Sequence, residues 1–250
     1  MHRHAAPRTS KCIMAGVMAA AVIAHLACGT AAAQSLSVLP VTIELAPGQM
    51  ATSLTVVNRD NSETAIQIRA YSWAQLGGKD ELTEAGELVA SPPLATIAPG
   101  GEQLVRIVLH KSPQQQEATY RILLDQIPPP ATPGVVRIAL RMSIPIFAEP
   151  PNRALPHLMF HIDREADQAY LVVINEGGRH ATLRDITLTK PDGTALKTEA
   201  GSSPYVLAGA TQRWRITANN FPLTEEALHL SAHADAGAPV DQIVGVPAAP

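Results

Sequence analysis

The sequence predicts an all-β protein built from two β-sandwich domains joined at a Pro-rich elbow. Apolar and polar residues alternate with a period of two along short segments, of which Ala65–Trp73 is the clearest. Clusters of Pro, Gly and Asn separate these segments, and the 3.6-residue period of a helix is not apparent. The pattern is interrupted at Pro150-Pro151 and then resumes, which indicates a second domain.

The first 33 residues have the pattern of a secretory signal peptide. Three cations precede an uncharged run from Cys12 to Cys28, and three alanines ending at Ala33 stand before Gln34. We expect cleavage after Ala33. The alternative is a lipidated Cys28, because the residues around it loosely resemble a lipidation signal, although His25 stands where that signal has Leu.

Composition excludes several classes for the mature chain. Both cysteines, Cys12 and Cys28, lie in the predicted leader, so a disulfide framework is excluded. Without the leader, 16 Lys and Arg stand against 22 Asp and Glu, a net charge of −6. A mildly acidic chain without a basic run is a poor candidate for binding nucleic acid. No later segment approaches the roughly 18 apolar residues of a membrane span.

Residues 34–150 form the first predicted domain. Its strands are predicted at Leu36–Leu45, Leu54–Val57, Ala65–Trp73, Leu94–Ile97, Leu104–Leu109, Tyr120–Ile127 and Val135–Phe147. The polar, Gly-containing stretch Gln75–Glu87 is predicted to be a long surface loop. Short strands separated by turns in this way are typical of a β-sandwich.

Residues 151–250 form the second predicted domain. Proline cannot donate to a strand ladder and stiffens the backbone, so paired prolines at its start suit a fixed elbow. The predicted strands are Leu158–Ile162, Ala169–Ile174, Thr182–Leu188, Val206–Leu207, Thr211–Ile216 and Leu228–Ala232. They indicate a second, weaker sandwich.

The last strand of the first domain carries the most informative pattern. Val136, Ile138, Leu140 and Met142 fall on one face of an extended strand, because side chains alternate across it. They either fill the core of their own domain, which the pattern alone favours, or are presented to a partner.

Several stretches of the first domain form a set with a fixed order and spacing. They are Ser91-Pro92-Pro93-Leu94, the Pro99-Gly100 turn, Tyr120–Leu124 leading to Ile127-Pro128-Pro129, and Ile144-Pro145-Ile146-Phe147. Over roughly 115 residues this set resembles the N-terminal domain of periplasmic pilus-assembly chaperones of the chaperone–usher pathway. Leu39-Pro40-Val41, the Tyr120-Arg121 pair and the Ile-Pro-Ile-Phe ending are similar to the archaic, spore-coat-like branch. The second domain fits the family in strand pattern alone.

The resemblance implies two immunoglobulin-like sandwiches and a periplasmic chaperone that is not an enzyme and needs no cofactor. Its partners would be pilus subunits, which lack their last strand, and an outer-membrane usher. The residues implied as the donor strand are Val136, Ile138, Leu140 and Met142. An exposed row of large apolar side chains also predicts self-association of the free protein.

The resemblance further implies cations in the cleft between the domains, which hold the C-terminal carboxylate of the subunit. This sequence departs from that pattern, because Val41–Glu44 contains no cation and Pro145 and Glu149 stand at the other two places. A guanidinium suits a carboxylate, since it offers paired N–H donors. The replacement candidates, in order, are Arg121, Arg141 and Arg106. The alternative for each is a solvated arginine on a strand.

Two other functions stay open. One is a secreted pilus-like structural or adhesive β-sandwich, although such a subunit would normally be one incomplete sandwich. The other is a metal-dependent hydrolase, because two histidine pairs are spaced four residues apart, His157/His161 and His229/His233. No third ligand stands at a matching position and no H-E-x-x-H is present, so no metal site is expected.

The leader generates a first prediction. Mass spectrometry of the protein purified from the periplasm should show a chain that begins near Gln34 and carries no lipid. A mature chain that begins at a diacylated Cys28 would contradict it.

Overall fold

β-strands make up all the regular structure of the described chain, and the all-β prediction is confirmed. The computed structural model describes residues 36–130, 133–134, 136, 138–165, 168–199, 203–217, 223, 226–234 and 239–247. The predicted leader, residues 1–33, lies outside these residues. Within them, no helix has the length and apolarity needed to cross a membrane.

The first sandwich consists of two sheets. Its strands are β1 (Leu36–Leu39), β2 (Ile43–Leu45), β3 (Ala51–Asn58), β4 (Thr64–Leu76), β5 (Lys79–Glu84), β6 (Leu88–Ser91), β7 (Leu94–Ile97), β8 (Glu102–Leu109), β9 (Ala118–Ile127) and β10 (Arg141–Ala148). Sheet I has the order β1-β3-β8-β6, and sheet II has the order β2-β10-β9-β4-β5, with β7 also paired to β4.

The segment predicted as one strand, Leu36–Leu45, is two strands in different sheets. β1 pairs with β3 in sheet I, whereas β2 pairs in parallel with β10 in sheet II. The crossover occurs at Pro40, which has no N–H to continue a ladder. The N-terminal segment therefore ties the two sheets together.

The inward-facing residues of both sheets form one core. It includes Val56 and Val105 from sheet I and Ile66, Ile122 and Ile146 from sheet II, each with almost no exposed surface. Because alternate residues face this core, the other residues of β9 and β10 lie on the outer face of sheet II.

The second sandwich surrounds a separate core. Its strands are β11 (Leu158–Glu165), β12 (Gln168–Asn175), β13 (Ala181–Thr189), β14 (Ala195–Thr198), β15 (Tyr205–Val206), β16 (Thr211–Thr217), β17 (Ala227–Ala234) and β18 (Val240–Gly245). The order is β11-β12-β16-β14-β13-β17-β18, with β15 paired to β13. The ends of this path, β11 and β18, contact each other, so the strands close over a core that contains Trp214.

The prediction of a long loop at Gln75–Glu87 is wrong, because this stretch contains the end of β4 and all of β5. Gly77 and Gly78 have positive φ angles of 58° and 77°, which suit the tight turn between the two strands. All six residues of β5 are exposed. The strand therefore lacks the apolar alternation by which a half-buried strand is recognised.

A third apolar cluster joins the two sandwiches. Trp73 and Phe147 from the first pack with Leu207 and Ala210 from the second, and Tyr205 lies against them. The rings of Trp73 and Tyr205 meet edge to face, with centroids 5.6 Å apart. Residues from Leu36 onward accordingly form one compact unit.

Polar contacts surround this cluster. Glu117, whose side chain is buried, accepts a hydrogen bond from the N–H of His180 at 2.9 Å and contacts its Nδ1 at 2.7 Å. The His180 ring stacks on Phe147 with centroids 3.5 Å apart. Gln75 donates to the carbonyl of Tyr205 and accepts from the N–H of Leu207, both at 2.9 Å.

These contacts generate a prediction for Glu117→Ala. The substitution leaves buried donors of His180 without their acceptor, and an unsatisfied buried polar group costs about 1–3 kcal/mol. Urea unfolding should show a loss of that size. Glu63→Ala, at an exposed position before β4, is the control and should be near neutral. Equal stability of the two variants would contradict the proposed role of the Glu117–His180 pair.

Candidate functional site

One edge of sheet II is open. β10 pairs with β9 over its whole length, from Arg141 to Ala148. Its other side pairs with β2 over Ile146–Ala148 alone. Among the described strands, residues 141–145 therefore have a ladder partner on one side.

The direction of the backbone groups follows from two hydrogen bonds. The N–H of Gln126 donates to the carbonyl of Leu140 at 2.9 Å, which turns the even-numbered residues of this segment towards β9. The N–H of Glu149 donates to the carbonyl of Leu45 at 3.0 Å, which turns the odd-numbered residues towards β2. The N–H groups of Arg141 and Ser143 therefore face the open edge, where another strand can pair.

The described residues just before β10, namely 136 and 138–140, are exposed and not part of a strand. The strand predicted over Val135–Phe147 begins at Arg141, while residues 136 and 138–140 are not in a strand. Val135 and Arg137 lie outside the described residues. The neighbouring strand explains why β10 begins no earlier than Arg141. β9 ends at Ile127, and the three prolines that follow have no N–H to donate to a ladder.

The four residues on the predicted face differ in burial. Val136 is 93% exposed, Ile138 83% and Leu140 39%, whereas Met142 packs partly against the core. Val136 and Ile138 thus do not fill the core of their own domain. A row of large apolar side chains in solvent is typical of a binding surface.

Arg121 lies beside this edge, in the cleft between the two sandwiches. Its guanidinium carbon is 3.7 Å from the centre of the Trp73 ring and 5.9 Å from that of Tyr205. Nη1 donates to the hydroxyl of Ser143 at 3.3 Å, and Nη2 lies 3.6 Å from a carboxylate oxygen of Asp80.

The side chain of Arg121 is 13% exposed. Burial lowers the pKa of its guanidinium, and the carboxylate of Asp80 acts in the opposite direction. At 3.6 Å Asp80 neutralises charge without a direct hydrogen bond. Arg121 is thus a largely desolvated cation with donors to spare, and it suits a carboxylate ligand.

The other two candidate cations lie elsewhere. Arg141 is on the same outer face of sheet II, exposed, and its Nε donates to Asp125. Arg106 is exposed on β8, level with Ser53 and Ser91 in sheet I. The structure therefore places Arg121 and Arg141 on one sheet and Arg106 on the opposite one.

Sequence reasoning missed a cation of the cleft. Arg179, from the second sandwich, bridges Glu44 and Glu149, each at 2.8 Å. A signal for it was present, since Glu44 and Glu149 are acids near places where the resemblance implies cations. Two such acids in a cleft need a counter-ion.

The histidine pairs do not converge. His229 and His233 are four residues apart on β17, about 13 Å at the rise of a strand, and lie beside Asp241 and Asp185 respectively. His157 lies beside Glu176, and His161 lies beside Asp163. Within the described ranges, no group of three or more His, Cys, Asp or Glu side chains is arranged to hold a metal ion.

Residues 35–154 match the sequence model of the family described as pili and flagellar-assembly chaperone, PapD N-terminal domain. The chaperone protein PapD of Escherichia coli is 25% identical over 173 residues, which cover 66% of this chain and 69% of PapD.

Solved structures agree with this match. A chain of the CsuC–CsuE chaperone–tip adhesion subunit complex, from archaic chaperone–usher pili of Acinetobacter baumannii, superposes with a TM-score of 0.64 at 21% identity, covering 84% of this chain and 98% of that one. The CupB2 chaperone of Pseudomonas aeruginosa gives 0.54 at 12% identity, covering 84% and 100%. At these identities the superpositions establish the fold of two immunoglobulin-like sandwiches.

Proposed function

Since this chain is similar to pilus-assembly chaperones in the sequence of its first domain and in the fold of both domains, we propose that it is a periplasmic chaperone of the chaperone–usher pathway. It binds pilus subunits by donating a β-strand and delivers them to an outer-membrane usher. The domain limits 34–150 and 151–250 and cleavage near Ala33 are part of this proposal.

The open edge of β10, with the exposed row in front of it, carries the proposal. A subunit that lacks its last strand leaves a sheet edge and an apolar groove. The N–H groups of Arg141 and Ser143 can continue its ladder, while Val136, Ile138 and Leu140 enter its groove, a case of strand addition.

Burial of the row in a subunit contributes to the free energy of binding. One aliphatic side chain contributes about 1.5–3 kcal/mol when it is fully buried, so the almost fully exposed Val136 and Ile138 contribute roughly 3–6 kcal/mol and the less exposed Leu140 adds less. Association and ordering reduce this gross value. The proposed function requires no cofactor and no catalytic group, because strand pairing supplies the energy.

The opposite edge of sheet II supports the proposal by contrast. β5 presents Lys79, Asp80, Glu81 and Glu84, all exposed, and charges of this kind prevent strands from pairing with an edge. At β10 the equivalent protection extends over Ile146–Ala148 alone, where β2 covers the strand. Charged side chains thus protect the β5 edge of sheet II from pairing, whereas the β10 edge is open to a partner strand.

Arg121 is proposed as the anchor for the C-terminal carboxylate of the subunit. It lies level with Pro145 and bonds to Ser143, so it is next to the edge at which the added strand would lie. Its burial against Trp73 makes a carboxylate partner worth more than it would be in open solvent. Arg141 and Arg106 are both exposed and rank after it.

The donor strand is tested with Ile138→Glu, and Leu140→Glu as a second variant. A carboxylate cannot enter an apolar pocket without a partner, so each should abolish co-purification of the cognate subunit. Because Ile138 lies in solvent, the melting temperature of the free Ile138→Glu variant should stay within a few degrees of wild type.

Leu104→Glu is the matched control, since Leu104 is an exposed leucine on the outer face of sheet I. It should bind the subunit as the wild type does. Capture of the subunit by folded Ile138→Glu would contradict strand donation.

The anchor is tested with Arg121→Ala, and Arg106→Ala serves as the control. Loss of one partner of a desolvated charge pair costs about 3–5 kcal/mol, about a hundredfold or more in affinity. Subunit capture should therefore fail with Arg121→Ala and persist with Arg106→Ala, while both proteins stay folded. Wild-type capture by Arg121→Ala would remove Arg121 as the anchor.

A further inference from the structure

A short segment, residues 140–143, joins the buried part of β10 to the exposed residues before it. We call this segment the root of the strand. From Ile144 onward β10 is fixed by burial, because Ile144 and Ile146 lie in the core. Before residue 140 it has no strand partner among the described residues. Residues 140–143 connect the two parts, and their geometry decides which way the free side chains point.

The described ladder between β10 and β9 ends at this root, where the N–H of Gln126 donates to the carbonyl of Leu140 at 2.9 Å. The N–H of Leu140 donates at 3.3 Å to the side-chain oxygen of Gln126. The next residue of β9, Ile127, is followed by prolines, so the ladder cannot extend. Ladder bonds alone therefore leave the root prone to fraying.

A shared carboxylate lies beside this point. Asp125 of β9 is the direct cross-strand neighbour of Arg141 and accepts a hydrogen bond from its Nε. Its second oxygen accepts from Nη2 of Arg69 on β4 at 2.6 Å. Arg69 also donates to the hydroxyl of Tyr71 at 2.9 Å. Asp125 thus connects three adjacent strands at the root.

The surroundings of Asp125 distinguish it from an ordinary surface ion pair. Its side chain is 15% exposed. Partial burial acts to raise the pKa of this carboxyl, but hydrogen bonds from Arg141 and Arg69 hold the pKa below its ordinary value. The ionised form is therefore the one that this arrangement stabilises.

The sequence makes this contact specific for one register. A slip of one residue at the root would place Leu140 or Met142 opposite Asp125, and a slip of two would place Ala139 or Ser143 there. None of these residues carries a charge. A slip or bulge of one residue would also invert every side chain of the free segment.

We propose that Asp125 is a positioning residue: through Arg141, with Arg69 as its fixed counterpart, it holds the root of the donated strand in register. The apolar row then leaves the sheet with Val136, Ile138 and Leu140 on the face that a partner meets. The use of this row rests on the proposed function, whereas the hold on the root is a property of the free protein.

The protection of the root against local opening is measured on the free, full mature chain by amide hydrogen exchange, followed by NMR. In Asp125→Asn the amides of Leu140 and Met142 should exchange at least about tenfold faster, while those of Ile68 and Val105 in the core should keep their rates. Arg141→Ala should give the same local increase. Asp125→Asn should add nothing further in that background, because the two side chains act as one unit.

Two variants separate positioning from general stability. Asp125→Glu retains the charge and should recover part of the protection. Glu199→Gln removes an acid from another cross-strand pair, with Arg215 at 3.0 Å, and should leave the root unchanged. Wild-type rates at Leu140 in Asp125→Asn, or an equal increase at the core amides, would overturn the proposal.

Subunit capture then distinguishes this inference from the proposed function. If the positioning role and strand donation are both correct, Asp125→Asn should weaken co-purification of the cognate subunit, and Asp125→Glu should restore part of it. Faster exchange at the root with undiminished capture would overturn the positioning role and leave strand donation intact. Failure of Ile138→Glu to affect capture would refute strand donation, whatever the exchange rates are.

Discussion

Backbone hydrogen bonding is the constraint on which the rest of this structure depends. A backbone N–H or C=O that leaves a ladder needs another partner, and β10 leaves its ladder on both sides within a few residues. On one side, pairing with β2 begins at Ile146, which leaves residues 141–145 with an open edge; on the other, β9 runs into Pro128–Pro130. The three prolines end the ladder on the β9 side and leave the row from Val136 without that partner, so the exposure of the row follows from the sequence.

β10 connects that edge to the cleft between the domains. Its middle is locked in the core by Ile144 and Ile146, and its end packs between the domains, where Phe147 stacks on His180. The end of the strand is therefore joined by packing to the second sandwich. The same contacts bring Tyr205 near Arg121, so the candidate carboxylate anchor is assembled from both domains. In the proposed function, this gives the second domain a part in subunit binding although the proposed donor strand is in the first.

The sequence allowed the prediction of features that repeat along a strand, but not of those that depend on a distant partner. The two-residue alternation located β4, β8 and β9, because each buries one face. It failed for β5, in which all side chains are exposed, and for the start of β10, which was predicted at Val135 although the strand begins at Arg141. Arg121 was predicted as the first of three candidate cations for the cleft. The Trp73 ring beneath it and the Asp80 carboxylate beside it could not be found, since cross-strand register places them there.

The two halves of the candidate site are separated by a fixed length of one strand. Leu140 and Pro145, which lies level with Arg121, are five residues apart, about 17 Å along an extended chain. In the proposed function a subunit engages the row and the anchor together, and the second contact is then effectively intramolecular. A subunit whose groove and C-terminus are spaced differently loses one contact or the other. The apolar row can therefore accept many grooves, while the spacing set by a rigid strand discriminates between them.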